Sequence, residues 1–169
     1  LCVAGGGLDG ICEARYRIVG GFLTQLDRFA GGLAAEFNKV FSQGQGISGF
    51  SEVTSVEKVD DPEAVLDAAG LDLTPVNGRF ELLLYDSSTQ LTETHVIDVD
   101  LDGLDGDDTL TTLAAKLDAI EGVAAEINVD NQLELSSESA ELEIAFNGDT
   151  SGVLAPLGIH TFFTGSRAS

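Results

Sequence analysis

Between Asp108 and Phe146 the apolar positions change period once. Leu110, Leu113, Ala114, Leu117 and Ile120 recur at i, i+3, i+4, i+7 and i+10, which lines one face of a helix. Asp108 or Thr109 is placed to cap its first turn and Gly122 to end it. From Val123 the period is two. Val123, Ala125, Ile127 and Val129 share one face of a strand, Asp130-Asn131 turns the chain, and Leu133 and Leu135 continue on a returning strand. Beyond the polar stretch Ser136 to Ser139, the residues Ala140, Leu142, Ile144 and Phe146 alternate again, and Asn147-Gly148 makes another turn. A helix with one apolar face and strands with one apolar face bury both by packing together, so the predicted fold class is α+β.

The same reading extends upstream. Asn77-Gly78 opens a strand over Arg79 to Tyr85 with Phe80, Leu82 and Leu84 on one face, Ser87 to Gln90 turns the chain, and a second strand follows from Leu91 to Leu101. Pro62 suits the first turn of a short helix over Glu63 to Ala69, ended by Gly70. After Thr150 the pattern predicts a short helix around Val153 to Leu157 and an extended Ile159 to Phe163. Five to seven antiparallel strands with one main amphipathic helix are expected.

From Leu8 to about Ser42 helical spacing is kept by Ile11, Ala14, Ile18, Phe22, Leu26, Phe29, Leu33, Phe37 and Val40. Such a helix is about 50 Å long. A small domain seldom covers that length, so Phe22, Leu26, Phe29, Leu33 and Phe37 form a candidate interaction stripe for a bundle or coiled coil. The competing reading folds the helix back on its own domain. Gly20-Gly21 predicts a kink. Glycines in the stretch Gln43 to Phe50 mark a boundary, giving a helical segment 1–43 and a β-rich segment 44–169.

Charge sharpens this division. Lys and Arg number 8 against 29 Asp and Glu, a formal net charge of -21. Up to Ser42, Arg15, Arg17, Arg28 and Lys39 balance Asp9, Glu13, Asp27 and Glu36, so all the net negative charge lies beyond that point. An acidic surface of this kind repels phosphate backbones and anionic lipid, which argues against nucleic acid and membrane surfaces as partners. No apolar run approaches a membrane span. Leu at position 1 and the absence of Met read as a piece of a longer protein.

Asp98-Val99-Asp100-Leu101-Asp102-Gly103 matches the first half of a calcium loop. Position 12 is Thr109 where a bidentate Glu is required, and position 8 is Asp105. Asp98, Asp100 and Asp102 are therefore metal candidates, set against a solvated strand edge and an acidic turn before a helix start, where Asp is favoured anyway. His95 and His160 stand alone, without a nucleophile in a catalytic context. Gly5-Gly6-Gly7 lacks a phosphate-binding frame. Cys2 and Cys12 have no zinc spacing and read as structural. No enzyme activity and no cofactor are expected.

Leu8-Asp9-Gly10-Ile11-Cys12-Glu13-Ala14-Arg15, Gly21-Phe22-Leu23-Thr24-Gln25-Leu26-Asp27, Phe37-Asn38 and Ser42-Gln43-Gly44-Gln45-Gly46 together resemble the flagellar hook-associated protein 1 family, the proteins of the hook-filament junction. The end of the chain is similar too, in Phe146, Asp149-Thr150-Ser151-Gly152-Val153-Leu154-Ala155-Pro156-Leu157-Gly158 and Thr161-Phe162-Phe163-Thr164-Gly165. Thr109 to Leu135 looks like the helix-plus-hairpin motif shared among flagellin and hook-associated proteins. The resemblance implies a structural subunit that is exported through the flagellar apparatus and works outside the cell with the hook protein and neighbouring junction subunits. It implies that the long helix belongs to a helical rod and the acidic part to an outward-facing β-rich domain. No catalytic residue carries over. The sequence departs from the family in its two cysteines and in lacking the terminal coiled-coil segments used for assembly and export, so it is not expected to polymerise as a full-length relative does.

Overall fold

A computed structural model describes residues 14–42 and 49–159. They fall into two units, 14–36 and 37–159, and one helix runs across the division. A π-helical turn, Ala14–Val19, leads into α1, Gly20–Ser42. The winding changes at Gly20-Gly21, where each glycine costs about 1 kcal/mol of helix propensity relative to Ala and where the sequence predicts a kink. Thr24 Oγ1 donates to the Gly20 carbonyl at 3.0 Å, a local bond that competes with the helical ladder at the same place. α1 has 23 residues, about 35 Å at 1.5 Å per residue. The expected continuation to Leu8 lies outside the described residues, as do the boundary residues 43–48, Cys2, Cys12 and His160. No helix among the described residues is long and apolar enough to cross a membrane.

The second unit is mixed α and β, with two three-stranded antiparallel sheets. Its strands are β1 Glu52–Thr54, β2 Gly78–Asp86, β3 Leu91–Val99, β4 Val123–Ile127, β5 Leu133–Ser137 and β6 Leu142–Asn147. One sheet runs β3-β2-β6 and the other β1-β5-β4. Register puts Phe80 opposite Ile97 of β3, and Leu82 and Leu84 opposite Phe146 and Ile144 of β6, so each alternating apolar residue of β2 meets an apolar partner on one face. Phe50 links the sheets. Its N–H and carbonyl exchange bonds with Ile144 at 2.7 Å each, on the outer side of β6, and two residues later Glu52 pairs with Ser136 of β5.

α2, Leu110–Asp118, is the main helix and buries Leu110, Leu113, Ala114 and Leu117. Its N-cap is a reciprocal box: Thr109 Oγ1 accepts from the Thr112 N–H and Thr112 Oγ1 accepts from the Thr109 N–H. Gly122, at φ +90, then turns the chain into β4, against which α2 packs. α3, Leu154–Leu157, ends at Gly158, at φ +71. The common core holds Phe80, Phe146, Leu66, Leu82, Leu110, Leu113, Leu117, Leu133, Leu135, Ile144, Leu154 and Leu157, with Phe80 and Phe146 in a tilted ring pair 6.3 Å apart.

Three expectations need correction. The segment after Pro62 forms only a 3-10 turn, Leu66–Ala68, because Val65 is held extended by a bridge to Thr109. β3 stops at Val99 rather than Leu101, since the Asp100 N–H is diverted to the Asp108 carboxylate. Val129 is not on the buried face of β4 but 99% exposed. The Asn128 side chain accepts from the Asp130 and Gln132 N–H groups, which turns the chain just after the strand ends.

Candidate functional site

Two features invite function: the acidic loop between β3 and α2, and the apolar side of α1. At the base of the loop lies Asp108, 2% exposed. Its Oδ2 accepts from the Asp100 N–H at 2.7 Å and from Lys116 Nζ at 2.6 Å, and its Oδ1 accepts from the Thr112 hydroxyl at 2.8 Å. The Asp108 N–H returns a bond to the Asp100 carbonyl at 2.7 Å. Lys116 also donates to the Asp98 carbonyl at 2.9 Å, so one ammonium ties the end of β3 to the start of the helix. Burial on its own raises the Asp108 pKa. The bonds from Lys116, Asp100 and Thr112, together with the Lys116 charge, outweigh that and hold the carboxyl below its ordinary value.

Above this base, Asp100, Asp102 and Asp107 each bring one carboxylate oxygen within 4.8 Å of the others. Among the described residues this is the only group of three or more potential ligands so placed. Oxygen donors suit a hard cation such as Ca²⁺. Two of the three are already engaged: Asp107 Oδ1 accepts from the Gly103 N–H at 3.1 Å and Asp102 Oδ1 from the Leu104 N–H at 2.9 Å. Asp100 and Asp102 were expected in such a set, but Asp98 does not join it. Asp98 stays on β3 opposite Arg79, while the left-handed Gly103 and Gly106 fold the loop back and deliver Asp107 instead. The paired Asp-Gly turns at Asp102-Gly103 and Asp105-Gly106 were the available signal for Asp107.

His95 sits on β3, with Nε2 3.7 Å from Glu93 Oε2 and without a hydrogen-bond partner. A shallow depression at the start of β2 is lined by Asn77, Gly78, Arg79, Asp98, Val99, Asp100 and Thr150. The Arg79 N–H there donates to Thr150 Oγ1 at 3.0 Å, and the Thr150 hydroxyl donates to the Arg79 carbonyl at 3.0 Å.

On α1 Phe22 is 64% exposed, Leu26 50%, Phe29 67% and Leu33 61%, while Phe37 is more than half covered. No protein-family model matches the chain, and no similar protein is found among curated ones.

Proposed function

We propose that the chain is a structural subunit of the bacterial flagellum, part of a junction protein that joins hook to filament. The observation that carries this reading is the exposed apolar row Phe22, Leu26, Phe29 and Leu33 on α1. A helix of this length keeps its fold mainly through packing, and a rod of axial subunits supplies the neighbouring helices such a stripe needs. The acidic β-rich segment then faces outward, where its charge favours solubility. Its partners on this reading are the hook protein and neighbouring junction subunits, its location is extracellular after export through the flagellar apparatus, and its work is assembly rather than catalysis. Gold-labelled antibody against residues 49–159 is expected to mark the hook-filament joint on cells of the source bacterium. Label absent from flagella rejects the proposal. The three-carboxylate loop favours a second reading, a secreted acidic module that binds calcium. Melting the protein with millimolar calcium and with chelator separates the two, because ligand binding to the folded state raises the midpoint; the junction reading expects no shift.

A further inference from the structure

β3 is the edge of its sheet, and hydrogen-bond parity fixes which of its groups face outward. On β6 the Ile144 N–H and carbonyl are turned toward Phe50, so Glu143 and Ala145 bond toward β2. Their partners Tyr85 and Leu83 face β6, which leaves Phe80, Leu82 and Leu84 to bond β3 through Ile97, His95 and Glu93. Thr92, Thr94, Val96 and Asp98, the residues between, therefore aim their backbone groups away from the sheet. One end of that row is stopped. The Asp98 carbonyl accepts from Lys116, and both backbone groups of Asp100 are taken by Asp108. Thr92, Thr94 and Val96 are exposed, and among the described residues neither backbone group of any of them has a partner beyond the sheet. No Lys, Pro or Gly interrupts Leu91–Val99, although these residues commonly keep an edge from pairing, and the ladder to β2 runs without a bulge. The outer edges of the second sheet differ: β1 has 3 residues, and the Ala125 N–H of β4 is taken by the Asp118 carboxylate.

From this edge we infer that β3 pairs antiparallel with β3 of a second copy of this chain, about a two-fold axis at Thr94, so that the two sheets become one. A two-fold ladder requires that residue i meet j and j meet i. Thr94 opposite Thr94 and Thr92 opposite Val96 use both backbone groups of all three open residues. The side chains agree with this register. Glu93 stands opposite His95 of the other copy, and the reverse, at a site where opposed Cβ atoms lie about 4.5–5.5 Å apart. Within one chain His95 Nε2 has no hydrogen-bond partner and lies 3.7 Å from Glu93, so the second carboxylate offers the ring what its own strand does not. Leu91, 66% exposed, meets Ile97 of the other copy. The neighbouring registers fail. A shift in one direction sets Glu93 against Glu93, and like charges directly opposed are destabilising. A shift in the other needs the Asp98 carbonyl, which Lys116 already holds. This self-pairing does not depend on the flagellar proposal.

Sedimentation equilibrium of the full chain is expected to give twice the 17.6 kDa mass at high micromolar concentration in about 0.5 M salt, which screens the repulsion between two acidic chains. Thr94→Pro removes the outward N–H at the axis and spares the ladder to β2. It is expected to melt as cooperatively as the parent and to weaken association at least about tenfold. Orientation and register are read independently by oxidation in a Cys2→Ser, Cys12→Ser background. Thr94→Cys is expected to form a disulfide dimer alone, whereas Thr92→Cys and Val96→Cys are each expected to stay uncrosslinked alone and to form one when mixed. A monomer throughout the concentration range, an assembly that survives Thr94→Pro unchanged, or crosslinking of Thr92→Cys or Val96→Cys alone overturns the inference.

Discussion

Asp108 shows how one buried carboxylate ties the end of β3 to two successive turns of α2. It satisfies the Asp100 N–H that β3 leaves unpaired, the Thr112 hydroxyl in the first turn of α2, and the Lys116 ammonium one turn later. The two ends of the ion pair are not equivalent, since the Asp108 side chain is 3% exposed and that of Lys116 39%. Removing the lysine strands a carboxylate out of water, whereas removing the carboxylate leaves an ammonium able to reach solvent. We expect Lys116→Met to cost about 3 kcal/mol and Asp108→Asn about 2 kcal/mol, measured by urea unfolding at pH 7. Because the folded-state pKa of Asp108 is depressed, its stabilisation is complete above its ordinary pKa near 3.8 and is lost as pH falls through the lower folded value. The gap in stability between wild type and Asp108→Asn should therefore be constant from pH 7 down to about pH 5 and close below about pH 4. A gap that persists unchanged at pH 2 contradicts this. The comparison also cancels the relief of repulsion as the many surface carboxylates protonate.

The junction between α2 and β4 depends on Gly122. The helix cannot continue because the chain must reverse within a few residues to lay Val123 on the core, and at φ +90 only glycine does so without strain. A Cβ there falls 2.8 Å from Leu142 Cδ1 and 3.2 Å from Leu84 Cδ2. Those are the ends of flexible side chains that can shift, so the backbone carries most of the penalty. Gly122→Ala is expected to cost about 1–2 kcal/mol, seen as a lower denaturation midpoint with an unchanged denaturant slope. At the other end of α2, the reciprocal Thr109-Thr112 box predicts that Thr109→Ala costs about 1 kcal/mol. A change within error at both positions would mean that tertiary packing alone sets the helix ends.

The molecule divides unevenly between a self-sufficient part and a dependent one. The two sheets, α2 and α3 share one core of buried side chains drawn from Val59 onward, while Phe22, Leu26, Phe29 and Leu33 of α1 are at least half exposed. The segment 46–169 is accordingly expected to fold alone, with dispersed amide resonances and a single cooperative melt. A collapsed, poorly dispersed spectrum would mean that the helix is needed to nucleate or complete the core. An isolated α1 peptide should be largely unstructured at low concentration, since helices of this composition rely on packing.

Much of this architecture was legible in the residues because it rests on local physics. The cap and stripe of α2, the alternation in β2, β5 and β6, and the turns at Asn131 and Gly148 each need only neighbours within about four positions, and each lies where periodicity and turn chemistry place it. The exposed stripe on α1 was legible for the same reason. Tertiary structure decided what depended on distant partners. Val65 gave up a helix for a bridge to Thr109. Phe50 joined β6 before its chain crossed to β5, dividing six strands into two sheets whose separation no periodicity encodes. In the acidic loop, spacing alone favoured Asp98, but Asp98 is held in the ladder opposite Arg79 while two left-handed glycines carry Asp107 into its place. Sequence spacing counts positions along the chain, whereas carboxylates meet through the path the backbone takes. The ends of that path are tied by the bonds from the Asp100 N–H to Asp108 and from Lys116 to the Asp98 carbonyl, between a strand and a helix that the pattern treats as independent.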